Sequence, residues 1–485
     1  MFNIKKMFRT MSAVVLTSAT LASTVVAPIA QAQDVKTVTM YQIGTPPENL
    51  DQLLAKVNEI SEKEIGVKLE MKYIGWGEYS EKMTVMTNSG EKYDIARADD
   101  YLNNAQKGAY ADLTDLIKEH ASESFAMLDE AYIKGNTIDG KLYAFPVNGN
   151  VYAQQFFTFN PTFLEKYDLK LDNIKTLADL EPLLEAVKNG EPTVAPLAAG
   201  RGWRVGHDFD LVLDETVPLG VDLLGDTAKI VNPYETGDAY IPDLKTMHDF
   251  YNKGYVPADA ATSDQGYELT DDTWFVRSET VGPRDYGNYL LTAVSGKDLQ
   301  IVPYSQLPLK SVAQARMSNF VIAQNSDNKV EAVKLLNLLN SNPEVLNILI
   351  YGIEGENWTK NEDGTIKLLP NYNGPTHMSA WNTGNAEILY KDERITPEQI
   401  AASEKGLEEA VTSPLLGFNF KTDAVVDEIT NVKNVVAQYI SGLHTGTVNP
   451  EEVLPQFNEE LKAAGLDKIQ EEMQRQFDEF LKSQN

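Results

Sequence analysis

The sequence predicts an α/β protein that begins with a parallel sheet. From Val35 onward, apolar residues recur first with the period of a strand and then with the period of a helix, and this alternation repeats up to residue 95. A strand–helix–strand–helix–strand order favours a parallel sheet with right-handed crossovers. A second observation is a pair of short apolar strands in tandem within residues 142–159, which is what a chain needs to cross from one lobe to another.

The first part of the chain carries clear strand and helix signals. Strands are predicted over residues 37–42, 67–73 and 93–95, and Gly66 stands where the first helix should end. Gly75, Trp76 and Gly77 form a loop into a second helix, which ends near Gly90. Ligands of parallel α/β sheets bind beyond the carboxyl ends of the strands, and two such ends lie at residues 74–76 and 98–101.

The tandem strands follow a predicted hairpin. Asp139-Gly140 between apolar residues is a strong turn signal, because glycine adopts positive φ without a Cβ penalty. The strand over 142–147 contains Pro146, which excludes a central position in a sheet. Asn148-Gly149-Asn150 separates it from a second strand over 151–159. On this stretch alone, an ordinary hairpin within one domain is the alternative to a crossing between lobes.

The rest of the chain continues the α/β pattern and ends in helices. Helices are predicted over 176–189, 241–254 and 329–340, and another begins at Asn342-Pro343; strand character appears over 195–203, 272–286 and 299–304. Glu362-Asp363-Gly364 reads as a hairpin turn. Three apolar stripes between residues 425 and 480 predict a helical tail. We expect this tail to pack on the second lobe, and a partner-binding helix is the alternative.

The amino-terminal segment and the charge indicate an exported protein. Residues 1–32 combine a basic start, an apolar stretch and Ala30-Gln31-Ala32, which is typical of a cleaved signal peptide; a membrane anchor is the alternative. The formal net charge of −29 disfavours nucleic acid and anionic membranes as partners. The chain has no cysteine, which excludes disulfides, thiolate metal sites and cysteine nucleophiles.

Enzyme and cofactor signatures are missing from the sequence. The histidines show no zinc-ligand spacing, and neither a G-x-S-x-G elbow nor a phosphate-binding G-x-x-x-x-G-K-[ST] loop occurs. Neighbouring carboxylates such as Asp208 with Asp210, or Glu354 with Glu356, keep a secreted glycan hydrolase open as an alternative. We therefore expect no enzyme, no metal and no cofactor. The histidines are His120, His207, His248, His377 and His444.

Several stretches resemble one protein family. DGKLYAFP (139–146), GWGEYSEKM (75–83), SGEKYDI (89–95) and GAYADLTDLI (108–117) are similar to the first lobe and crossover of bacterial extracellular solute-binding proteins of sugar ABC importers, family 1-like. YGIEGENW (351–358), SPLLGFNF (413–420) and AAGLDKIQEEMQRQFDEFL (463–481) resemble a subgroup with an added C-terminal region of unassigned function.

The resemblance implies a fold, a division of the chain and a function. It implies a two-lobe periplasmic-binding-protein-like α/β fold (type II) with hinge strands and a helical C-terminal extension. It implies a monomer, in the periplasm or at the cell exterior, that captures a carbohydrate, expected to be an oligosaccharide, and delivers it to the membrane permease of an ABC importer. A peptide or another polar solute is the alternative ligand. The implied segments are a signal peptide (1–32), lobe 1 (33–147 and a return segment 313–370), lobe 2 (148–312) and a helical region (371–485).

Candidate ligand contacts follow from what a sugar requires. Flat aromatic faces suit the C–H surfaces of a pyranose ring, and carboxylates, amides and arginine suit its hydroxyl groups. All five tryptophans stand in predicted loops or next to glycine, although core packing is the alternative for each. The candidate substrate-binding residues are Trp76, Glu78, Asp99, Asp100, Arg201, Trp203, Trp274, Arg284, Asp285, Glu354, Trp358 and Trp381.

The amino terminus gives a first testable prediction. Relatives of this kind in Gram-positive bacteria usually carry a lipid on a cysteine that follows a Leu-Ala-Gly-like box, whereas Leu21-Ala22-Ser23 is followed here by Thr24. The exported protein should therefore begin near Gln33 and carry no acyl chain. Mass spectrometry of the N-terminal peptide from native cells tests this, and either a diacylglyceryl mass or a chain beginning at Met1 would contradict it.

Overall fold

The computed structural model describes residues 35–484 except 207, 237–239, 265, 306 and 373–377. The predicted signal peptide, Thr24, and two of the histidines, His207 and His377, lie outside the described residues.

Short strands and helices alternate along most of the described chain. In chain order the strands are β1 (Lys36–Ile43), β2 (Val67–Ile74), β3 (Ile95–Arg97), β4 (Thr137–Ile138), β5 (Lys141–Leu142), β6 (Ala144–Pro146), β7 (Gln154–Phe159), β8 (Ala195–Leu197), β9 (Phe209–Leu211), β10 (Gly220–Asp222), β11 (Trp274–Val281), β12 (Gln300–Pro303), β13 (Leu309–Lys310), β14 (Asn319–Ile322), β15 (Trp358–Lys360), β16 (Ile366–Leu368) and β17 (Val411–Thr412).

The helices cover both sheets and fill the carboxyl-terminal part. They are α1 (Leu50–Ile65), α2 (Tyr79–Ser89), α3 (Tyr101–Gln106), α4 (Thr114–His120), α5 (Ser122–Phe125), α6 (Glu130–Asn136), α7 (Pro161–Lys166), α8 (Glu181–Gly190), α9 (Pro233–Thr236), α10 (Tyr240–Asn252), α11 (Tyr289–Ser295), α12 (Val312–Arg316), α13 (Lys329–Ser341), α14 (Pro343–Tyr351), α15 (Pro397–Glu409), α16 (Val426–His444), α17 (Pro450–Ala463) and α18 (Leu466–Gln484). Short 3₁₀ turns cover Leu177–Leu180, Pro283–Asp285, Ala380–Asn382 and Ala386–Ile388.

The first sheet has the strand order β2-β1-β3-β14-β6. β1 pairs in parallel with β2 and β3, and β14 pairs antiparallel with β3 and β6. Apolar clusters cover both faces: Met40, Leu69 and Phe320 contact one side, and Ile74 and Met83 belong to the other. We call this sheet with its covering helices the first lobe. Its parallel strands and intervening helices agree with the pattern read from the sequence.

The second sheet has the order β12-β7-β11-β8 and a separate core. β7 pairs antiparallel with β11 and β12, while β8 pairs in parallel with β11. Phe157, Phe159 and Phe275 belong to a cluster that also includes Val436 and Phe477 of the C-terminal helices. We call this sheet with α8, α10 and α16–α18 the second lobe. The tail therefore shares the second lobe's hydrophobic core.

The chain passes between the sheets through short extended segments. The hairpin predicted at Asp139-Gly140 joins β4 to β5, with φ angles of 47° and 78° at its two turn residues. β6 is an edge strand, as the proline at its end requires. Beyond it, Ala153 pairs with Leu309, and β13 pairs in parallel with β17. These pairings form a narrow strip between two independent cores.

Several element boundaries differ from the sequence expectation. The strand expected over 142–147 is divided between β5 and β6, and the one expected from 151 begins at Gln154. The third strand, expected to start at Tyr93, begins at Ile95 and ends at Arg97. A larger difference concerns residue 371, the expected start of the C-terminal region. Met378, Ile388 and their neighbours pack on the first lobe, so the segment that contacts the second lobe begins later in the chain.

A buried carboxylate makes stability depend on pH. Asp210 of β9 accepts a hydrogen bond from Ser413, and burial raises its pKa to about 6. Because this value exceeds that of the unfolded chain, the folded protein holds the proton more tightly, and stability is lost as pH rises from about 4 through about 6. Asp210→Asn removes this dependence and should gain up to about 3 kcal/mol over its parent between pH 4 and pH 7.5.

Urea unfolding at several pH values measures this difference. Asp51→Asn, at an exposed position of α1, serves as the control for loss of one negative charge. If the Asp210 variant and the control show the same pH profile, burial of Asp210 does not contribute to the pH dependence.

Candidate functional site

The carboxyl ends of parallel strands define where a ligand can approach both sheets. In the first lobe these ends lie at Ile43, Ile74 and Arg97, and in the second lobe at Leu197 and Val281. Loops that follow these strands contribute to three cavities of the described structure. Because such ends are where α/β sheets bind ligands, we take these loops as the candidate site.

Two tryptophans form an aromatic surface on the first lobe. The side chain of Trp76 is 58% exposed. Its ring stacks on that of Trp381, with centroids 6.0 Å apart and planes 22° apart. The indole of Trp76 lies beside Gly44 at the end of β1. We call Trp76 and Trp381 the aromatic platform.

Backbone contacts place the platform next to the crossover. The side-chain amide of Gln42 donates to the carbonyl of Asn382 over 2.9 Å, which anchors the loop that carries Trp381. A Cβ on Gly149 would lie only 3.1 Å from the Cα of Trp381. Glycine at this position therefore allows the loop to pack directly on the chain segment that joins the lobes.

The acidic candidates of the first lobe lie around the ends of β2 and β3. Ser80 donates to the carboxylate of Asp99 over 2.7 Å. Asp100 is exposed and has a positive φ of 41°. Glu78 forms an ion pair with Lys82 at 2.5 Å, and the hydrogen bond from Lys82 lowers the pKa of Glu78.

A polar pocket of about 570 Å³ opens on the second lobe. Arg201 and Trp203 line it from the loop after β8, and Gln155 and Arg277 line it from β7 and β11. The guanidinium of Arg201 pairs with Asp264 at 2.6 Å. We call this cavity the second-lobe pocket. It presents hydrogen-bonding groups and one mostly buried indole, that of Trp203.

A cavity of about 310 Å³ lies where the two lobes meet the crossover. Asn150 connects the crossover to the turn that follows β11. Its side-chain amide donates to Asp285 over 2.9 Å, and its side-chain oxygen accepts from the backbone N–H of Arg284 over 2.8 Å. Burial raises the pKa of Asp285 to about 6. Arg284 forms an ion pair with Glu387 of the first-lobe loop. We call this space, which Trp381 also lines, the junction cavity.

A larger pocket of about 1100 Å³ lies between the lobes. Asp100 and Tyr101 line it from the first lobe, and Asp214 and Lys433 line it from the second. Lys433 belongs to α16, so the C-terminal helical region contributes directly to this wall. We call it the interlobe pocket.

Two of the five tryptophans, Trp274 and Trp358, lie in the core and line none of these cavities, contrary to a sugar-stacking role. Trp274 is fully buried, and its indole N–H donates to the carbonyl of Glu268 over 2.8 Å. Trp358 is buried against Tyr390, with its N–H on the carbonyl of Gly352 at 3.0 Å. In both cases a backbone carbonyl satisfies the polar end of the ring, which lets a tryptophan in a loop sequence pack internally.

The other predicted residues divide between the cavities and the open surface. Arg284, Asp285 and Trp381 come together at the junction cavity, and Arg201 and Trp203 at the second-lobe pocket. Asp100 lines the interlobe pocket. Glu354 is exposed in the loop before β15 and lines none of these cavities, so the structure gives it no part in the candidate site.

Two important residues were missed by the sequence analysis. Asn150 lies in the Asn-Gly-Asn step that marks the crossover, and this step was a usable signal. Tyr286 has a φ of 50°, which is unusual for a bulky residue and is typically tolerated at functional sites. No sequence pattern reports that conformation, although a glycine follows Tyr286.

Acidic and histidine side chains do not form a metal site within the described residues. Asp208 and Asp210, one possible glycosidase pair, are both buried and accept hydrogen bonds from Leu307 N–H and Ser413 respectively. Within the described residues, the helices are too short or too polar to span a membrane.

Comparison with known proteins identifies the family. Residues 55–352 match the family described as bacterial extracellular solute-binding protein. The chain belongs to this family. Residues 414–482 match a domain of unknown function, DUF3502. The predicted family and the two-lobe α/β fold are confirmed.

Relatives with substantial identity come from Streptococcus pneumoniae. One, described as a carbohydrate ABC transporter substrate-binding protein, is 49% identical over 457 residues, which is 94% of this chain and 93% of the relative. The crystal structure of an N-glycan transport solute-binding protein, NgtS, is 48% identical with a TM-score of 0.89 and covers 93% of this chain and 100% of that one. Its complex with Man5GlcNAc gives a TM-score of 0.83 with coverage of 93% and 99%.

The division between exposed and buried tryptophans predicts different mutational costs. Trp274→Ala and Trp358→Ala should each lower the free energy of unfolding by about 3–5 kcal/mol, because they leave large cavities. Trp76→Ala should lower it by less than about 1.5 kcal/mol, since an exposed ring loses little beyond its stacking on Trp381. Urea unfolding followed by circular dichroism measures all three. A cost at Trp76 equal to that at Trp274 would show that Trp76 is a packing residue.

Proposed function

We propose that this solute-binding protein captures an oligosaccharide of mannose and N-acetylglucosamine (GlcNAc) and delivers it to the permease of an ABC importer. The observation that carries the proposal is the aromatic platform, which stands at the carboxyl ends of the first-lobe strands with one ring mostly exposed. The proposal is supported by 48% sequence identity to a protein whose structure was solved in complex with Man1GlcNAc and with Man5GlcNAc.

Physical chemistry supports a sugar as the ligand of this surface. A pyranose presents flat patches of C–H groups that pack on indole rings, and tryptophan offers such area with few rotatable bonds. Binding with micromolar affinity requires about 8 kcal/mol. For an uncharged sugar, ring stacking and hydrogen bonds must supply this free energy. Gln155, Arg201 and Asp100 lie at cavities around the cleft where they can bind hydroxyl groups.

The size of the cavities favours an oligosaccharide. The interlobe pocket of about 1100 Å³ is slightly larger than typical small-molecule sites. Walls on both lobes enclose it, so a branched ligand would contact the first lobe and α16 of the second at once. The two independent cores joined by a narrow strip are suited to closing around such a ligand by a hinge movement.

Transport rather than catalysis is proposed for the same site. The relatives named above are substrate-binding proteins of transporters. We propose that the protein is exported, is not acylated and acts as a monomer toward its permease. The C-terminal region takes part through α16, because Lys433 lines the interlobe pocket. A peptide receptor and a secreted glycan hydrolase are the competing functions.

Isothermal titration calorimetry on the mature protein tests this proposal. Man5GlcNAc and Man1GlcNAc should bind with one site each and micromolar or tighter affinity, whereas a neutral tripeptide should not bind. Loss of one stacked ring in Trp76→Ala should weaken binding tenfold or more, which corresponds to about 1.4 kcal/mol. Leu224→Ala, at an equally exposed apolar side chain elsewhere, provides the control.

Three results would contradict the proposal. One is the absence of binding by either glycan, and another is binding of the tripeptide. The third is release of free mannose or GlcNAc during incubation, which would indicate a hydrolase. If Trp76→Ala and the parent bind the glycan with equal affinity, the aromatic platform is not part of the binding site.

A further inference from the structure

The junction cavity differs in chemistry from the two larger pockets. Aliphatic side chains form much of its wall, whereas glycine, serine and charged residues dominate the second-lobe pocket. Its volume of about 310 Å³ suits one sugar unit rather than a branched chain. The aliphatic residues that line it include Leu290, Leu291, Val294, Ile350, Leu389 and Ile395.

One polar edge faces this apolar wall. Asp285 uses Oδ2 to accept hydrogen bonds from the backbone N–H of Gly282 over 2.7 Å and from Asn150 over 2.9 Å. Its other oxygen, Oδ1, makes no hydrogen bond to any described residue. An ionised carboxylate only accepts hydrogen bonds, so this oxygen is available to an N–H or O–H group of a ligand.

The backbone next to Asp285 is held in an unfavourable conformation. Tyr286 has a φ of 50°, in the left-handed region that costs a bulky residue on the order of 1 kcal/mol. This conformation persists where surrounding contacts determine it, and such residues cluster at ligand sites. Here the 3₁₀ turn before it is fixed by Asn150, and Ser403 of α15 donates to the carbonyl of Pro283 over 2.6 Å. The turn is thus held from both sides.

A sugar with an acetamido group matches this combination. Its methyl group requires an apolar wall, its amide N–H requires an acceptor, and its ring requires an aromatic face. Trp381, Asp285 and the aliphatic residues of α11 supply these around one cavity. A sugar with only hydroxyl groups would leave the aliphatic wall in contact with a polar surface.

We infer that the junction cavity is the subsite for the N-acetyl group of a GlcNAc unit, with Asp285 Oδ1 accepting the amide N–H and α11 contacting the methyl. The inference rests on the proposed function and deepens it. The unit held in the junction cavity is then fixed, and the number of mannose units in the interlobe pocket can vary. Specificity would come from the acetamido group.

The test compares two disaccharides on the unmodified mature protein by calorimetry. One is mannosyl-GlcNAc and the other is mannosyl-glucose of the same linkage, which carries a hydroxyl group in place of the acetamido group. We expect the second to bind at least tenfold more weakly, because its hydroxyl group cannot make the apolar contact of the acetamido methyl with the aliphatic wall. Equal affinity for the two would overturn the subsite. The proposed function would still stand if Man5GlcNAc binds, and would fail if no glycan binds.

A variant separates the acetamido group from the sugar ring. Ala293 lines the cavity from α11, and Ala293→Leu should fill the space for the methyl group. The preference for mannosyl-GlcNAc should then fall to less than threefold, while the affinity for mannosyl-glucose stays within twofold of the parent. Ala402→Leu, on the exposed face of α15, is the matched control. Equal weakening of both disaccharides would show that the cavity binds the sugar ring without selecting for the acetamido group, and would overturn the inference.

Discussion

The passage of the chain between two separate sheets is the constraint on which the rest of the structure depends. At Gly149 the backbone comes so close to the loop of Trp381 that a Cβ atom would lie only 3.1 Å from the Cα of Trp381. One residue later, Asn150 bonds to Arg284 and Asp285 of the second lobe. Gly149 and Asn150 thus position an aromatic ring of the first lobe and a polar turn of the second. The candidate site forms around these residues because the lobes meet there.

The two lobes have separate hydrophobic cores on either side of the crossover. The apolar side chains of the first sheet and those of the second belong to different clusters. Between them lies the narrow strip formed by Ala153 with Leu309 and by β13 with β17. The hinge movement proposed above would leave both of these cores intact. The C-terminal helices belong to the second lobe, since Val436 and Phe477 lie in its core.

The sequence predicted the periodic parts of the fold well and the site only partly. Alternating apolar residues located β1, α1, β2 and α2, because burial on one face leaves a regular spacing. Trp274 and Trp358 were misassigned because glycine and polar neighbours predict a loop. They do not indicate whether a backbone carbonyl lies close enough to accept a hydrogen bond from the indole N–H. Tyr286 was missed because its φ depends on contacts with distant segments. Asn150 and Trp381 are 231 positions apart in the sequence, and only the folded chain brings them to one cavity.

The charges around the cleft are consistent with a neutral ligand despite the acidity of the chain. Arg201 is paired with Asp264, Arg284 with Glu387, and Glu78 with Lys82. A charged group that is already paired can orient a hydroxyl through a hydrogen bond without attracting an ion from a distance. Such binding is little affected by salt, because the ligand carries no charge to be screened. The net charge of −29 then concerns solubility, while the recognition proposed above depends on ring faces, hydrogen bonds and one apolar cavity.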